Sequence, residues 1–98
     1  MPASRAHVPT PHASRYLTQL GKHWSHRFPD LTYTATRADI PLPGGPCVLE
    51  AGPVALDITL HSAAEETLAR METVVAEHLQ RFAFREGLEV RWTRGDPA

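Results

Sequence analysis

The spacing of apolar residues changes period once, in the middle of the chain. Val54, Leu56, Ile58 and Leu60 alternate with Ala55, Asp57, Thr59 and His61, which is the two-residue period of a half-buried strand. Shortly after, Leu68, Met71, Val75, Leu79 and Phe82 recur every three or four residues, with Val74 widening the stripe. That is the period of an amphipathic helix. A one-faced strand feeding a one-faced helix leaves both with an apolar side to cover, and a helix layered on a sheet covers both. Ser62 and Glu65 stand where a capping box would open this helix, and Gly87 where a C-cap would close it.

The remaining chain supplies the other parts of such a layer. Thr10 reads as an N-cap and Pro11 as a first helical residue. Ala13, Tyr16, Leu17, Leu20 and Trp24 then follow at helical spacing to about His26, and Pro29 closes the run. Strands are predicted over Leu31–Thr36, Ala38–Leu42 (weaker, proline-flanked, near an edge) and Cys47–Ala51. Pro43-Gly44-Gly45-Pro46 marks a turn. Leu88, Val90 and Trp92 alternate as a last strand, and Ser4–Val8 offers thinner evidence for a first one. The expected fold is α+β: a two-layer sandwich, two helices on one face of a mainly antiparallel sheet of four to six strands. It forms one domain over residues 1–98, ordered from about 5 to 93, with loose termini that include Arg94–Ala98.

Charge and cysteine content exclude several roles. Ten basic against eleven acidic residues give a net charge of −1, without the basic excess that phosphate neutralisation demands of a nucleic-acid groove. No stretch is long and apolar enough for a membrane span, and Met1–Thr10 has no apolar run of a secretory signal. The single cysteine, Cys47, allows no internal disulfide and suits a reducing cytoplasm, where the domain is expected. A lone cysteine in a strand is ordinarily a buried apolar filler.

Three segments are similar to a bacterial domain-of-unknown-function family numbered 2218. They are Thr10-Pro11-His12-Ala13-Ser14-Arg15-Tyr16-Leu17, the run from Lys22 through His23, Trp24 and His26 to Phe28, and the run from His78 through Arg81, Phe82, Phe84 and Arg85 to Glu86. The resemblance spans about Arg5 to Trp92. Gly21 departs from the pattern, standing where a cysteine or another larger residue is common. The resemblance implies a compact α+β domain and a link to iron handling, since such domains occur joined to siderophore-interacting proteins. A siderophore-interacting or other iron-handling protein is thus the implied partner. The resemblance carries over no catalytic residue.

Six histidines in 98 residues is the one unusual count. His23 and His26 lie three apart on the first predicted helix, close enough to share a ligand. His78 falls inside the apolar stripe of the second, so side-by-side helices would let His23 and His78 meet. Neutral imidazole is a common ligand for zinc, copper, nickel and iron. His23, His26 and His78 are therefore the candidate metal ligands. Haem is the other candidate cofactor: His78 would serve as axial ligand in a groove lined by Met71, Phe82 or Trp24, with Arg81 and Arg85 on the propionates. Against both stands a structural role, with His78 buried and hydrogen-bonded to backbone, Tyr16 or Trp24. Two function classes follow: a metal- or haem-binding domain, or an interaction domain without a ligand. A third, an enzyme using histidine as general base, would need an orienting carboxylate that the sequence does not display.

Overall fold

In a computed structural model, which describes residues 2–95, each expected layer is present. The elements run β1 (Ala3–Pro9), α1 (Ala13–Ser25), β2 (Thr32–Tyr33), β3 (Arg37–Leu42), β4 (Gly45–Ala51), β5 (Ala55–His61), α2 (Glu65–Phe82) and β6 (Trp92–Arg94). The strands form one sheet in the order β2-β3-β4-β5-β1-β6, antiparallel throughout. β3, β4 and β5 form a meander. α1 and α2 are the connections that let β1 and β6 join on the far side of β5.

Period-two alternation decides what each strand buries. Leu56, Ile58 and Leu60 of β5, Cys47 and Leu49 of β4, Ala38, Ile40 and Leu42 of β3, and Ala6 and Val8 of β1 are all buried. They meet Leu17, Leu20 and Trp24 of α1 and Leu68, Met71, Val75 and Leu79 of α2 in one core. The alternate positions Arg5, His7, Arg37, Asp39, Glu50 and Asp57 are exposed on the other face. The molecule is thus the two-layer α+β sandwich, with both helices on one side of the sheet. Cys47 faces the core, and burial pushes its thiol up to about 12, which makes it a filler rather than a nucleophile.

Element ends differ from the expectations. α1 opens after His12, without a side-chain cap. Thr10 is instead buried ahead of the helix, where its Oγ1 accepts from the His12 N–H at 3.1 Å and donates to Glu86 at 2.9 Å. The capping box at Ser62 does not form, because the N-cap of α2 is Ala64. The Ser62 N–H donates to the Pro2 carbonyl, so the residue is held by the sheet margin. α2 ends at Phe82, and turns carry the chain to Gly87, whose φ of 59° is left-handed as a chain reversal requires. The predicted strand at Leu31–Thr36 shrinks to Thr32–Tyr33. The last strand begins at Trp92 rather than Leu88 and ends at Arg94. Arg94 is therefore not loose: it pairs with Ser4 in the sheet and binds Glu72 through both arms at 2.9 Å. The expected loose tail beyond it, residues 96–98, lies outside the described residues.

Candidate functional site

The last turns of α1 and the middle of α2 come side by side over the sheet. The apolar stripes seat Trp24 and Val75 in the core, and His78, expected inside its stripe, stands instead half-buried at the margin, where it meets His23. His23 is exposed and His78 half-buried, yet their ring centroids are 5.3 Å apart. Trp24 lies 5.1 Å from the His78 ring, and Phe82 meets His23 edge-on at 5.8 Å. The expected meeting of His23 and His78 therefore takes place. His26 is exposed just past the end of α1 and does not line the groove the other two share.

That groove has a volume of about 410 Å³, within the ordinary range for small-molecule sites. His23, Trp24, Arg27 and Phe28 line it from α1 and the turn after it, Val74 and His78 from α2, and Leu42 and Pro43 from the end of β3. None of these residues is acidic. A histidine acting as general base would lack its orienting carboxylate here.

Among the described residues, His78 has one hydrogen-bond partner. Its Nδ1 lies 2.7 Å from the Val74 carbonyl oxygen one turn back. A carbonyl can only accept, so in this ring orientation Nδ1 carries the proton. The neutral ring then keeps the Nε2 lone pair. Fixing one ring nitrogen in this way to orient the other is the arrangement found behind histidine metal ligands. Among the described residues, no three His, Cys, Asp or Glu side chains gather where they could hold a metal ion.

Neither arginine expected at the propionates lines this groove. Arg81 is exposed in the last turn of α2. Arg85 lines a different groove with His12, Arg15, Tyr16 and Phe84, its guanidinium 5.7 Å from the Phe84 ring centre. The arginine at the histidine pair is Arg27, which stands directly after His26 in the sequence. Leu42 and Pro43 were not readable as site residues, because only the pairing of β3 with β4 carries them under α2. Gly21 also has a local explanation. The ring of Tyr33 rests on the helix there, and a Cβ would lie 2.6 Å from its Cγ.

The fold and groove together define a small two-layer domain with a paired-histidine pocket between its helices. The chain belongs to the family described as an uncharacterized protein conserved in bacteria (DUF2218), whose model matches residues 5–93. Its fold is similar to that in the NMR structure of PA4090 from Pseudomonas aeruginosa. The TM-score is 0.80 at 42% identity, covering 95% of this chain and 96% of that one. No curated protein matches. No helix among the described residues is long and apolar enough to cross a membrane.

Proposed function

We propose that this is a small binding domain that holds a metal-centred ligand at His23 and His78, a haem in preference to a bare ion. The observation that supports it is the His78 ring: Nδ1 is committed to Val74, Nε2 makes no hydrogen bond among the described residues, and the residue lines a largely apolar groove. A bare zinc or similar ion takes three or four protein donors. Only two imidazoles meet here, whereas iron already held by a porphyrin needs one or two. Trp24 and Phe28 would pack on the macrocycle, and Arg27, which lines the groove, would neutralise the propionates in place of Arg81 and Arg85. A place in iron handling, with a siderophore-interacting protein as partner and the cytoplasm as location, is part of the same proposal.

Titrating untagged protein with haemin, and measuring bound metals, tests this. His78→Ala is expected to abolish the haem absorption shift, His23→Ala to weaken it, and His26→Ala to leave it unchanged. Identical spectra for wild type and His78→Ala, with the fold retained, would reject the reading. A second reading would then stand, that of an interaction domain with structural histidines. Its support is Phe84, 72% exposed beyond the end of α2, the kind of lone aromatic that anchors a partner.

A further inference from the structure

The groove at the histidine pair does not end at Val74. A second cavity of about 290 Å³ shares Leu42, Pro43 and Val74 with the first and continues along α2 over Met71 to Thr67 and Arg70. Arg70, Val74 and His78 stand at i, i+4 and i+8, so one stripe of one helix borders both cavities. At 1.5 Å rise per residue, Arg70 and His78 are about 12 Å apart along the axis. Val74, 40% exposed, sits at the junction. No acidic side chain among the described residues lines either cavity. Among the described residues, neither Arg27 at one end nor Arg70 at the other forms an ion pair.

An apolar channel with a cation at each end selects by length as well as by charge. A short acid would reach one arginine, and a longer one that crosses Val74 could reach both. We infer that the ligand carries an apolar body and an acidic arm that crosses Val74 and ends on Arg70, two helical turns (about 12 Å along the α2 axis) from His78. This rests on the reading of the histidine groove as a ligand site and adds length and charge to it. It does not depend on which metal, or whether any, is bound.

The test is an amide NMR titration of the whole chain with two diacids, dodecanedioate and the short adipate. In wild type, dodecanedioate is expected to shift amides near both Arg70 and His78 and to bind at least tenfold more tightly than adipate. Arg70→Gln is expected to remove that preference, as is Val74→Trp, which blocks the junction. Equal affinity for the two diacids, or an Arg70→Gln variant that binds dodecanedioate like wild type, would overturn the inference. Haemin separates the two proposals. If the Arg70→Gln variant takes haemin through His78 while wild type ignores dodecanedioate, only the acidic arm is refuted. If dodecanedioate binds in an Arg70-dependent way and haemin gives no band, only the metal reading is refuted.

Discussion

Glu72 accepts hydrogen bonds from two strands at once. Ser4 of β1 donates to it at 2.5 Å, and Arg94 of β6 binds it bidentately. One carboxylate thereby fastens α2 to the edge where the last strand joins the first. The Arg94 guanidinium holds the Glu72 carboxyl below the ordinary carboxylate range, partly offset by burial. A carboxyl depressed in the folded state contributes stability above its unfolded value, and loses it as pH falls through the folded value. Arg94 is 40% exposed, so solvent screening keeps the contribution small. Glu72→Gln is expected to cost about 1 kcal/mol near pH 7, with the difference closing below pH ~4. Urea unfolding at both pH values measures this. A gap of unchanged size would mean that the ion pair is not its source.

Elements were most legible where one face is buried along their whole length. The stripe from Leu68 to Leu79 is the buried face of α2, and the alternation from Leu56 to Leu60 is the buried face of β5. Their ends were not legible, because tertiary partners claim the residues that would cap them. Ser62 could open a helix in isolation, but its N–H is taken by Pro2. Leu88 and Val90 alternate correctly yet pair with no strand among the described residues, since the β1–β6 ladder begins only where Trp92 meets Ala6. The histidine pair could be foreseen because, in sequence, His78 falls within the apolar stripe of α2 and His23 at the edge of the stripe of α1, whereas the Leu42–Pro43 wall depends on the sheet register. β2 shows how a single glycine positions an edge. Gly21→Ala removes about 1 kcal/mol of helix penalty but drives Cβ into the Tyr33 ring. The expected result is a net stability change within about 1 kcal/mol and faster hydrogen exchange at the β2–β3 bridge of Thr32 with Asp39 and Tyr33 with Ala38. Undiminished protection there would show that the ring needs no such gap.

At the scale of the molecule, the segment that looked least certain in sequence is placed among the most consequential. β1 lies between β5 and β6, paired with β5 from Ala3 opposite His61 to Pro9 opposite Ala55. Its weak signature has a physical cause: α2 packs over β1, and the buried positions there are filled by small residues, Ala3, Ser4 and Ala6, beside Val8. Ala6 and Ser4 therefore occupy inward positions that in β5 are held by isoleucine and leucine. The two faces of β1 still differ sharply. Val8 is fully buried, while its neighbour His7 stands on the open face, paired across the strand with Asp57 at 2.5 Å, both side chains more than half exposed. Val8→Asp places an unpaired charge in the core and is expected to abolish the cooperative unfolding transition. His7→Ala, one residue away, removes only an exposed pair and is expected to change stability by no more than about 0.5 kcal/mol. Circular dichroism during urea unfolding reads both variants. Similar losses in the two would mean that the polar face of the sheet is not solvated but covered, and that a further layer packs against it.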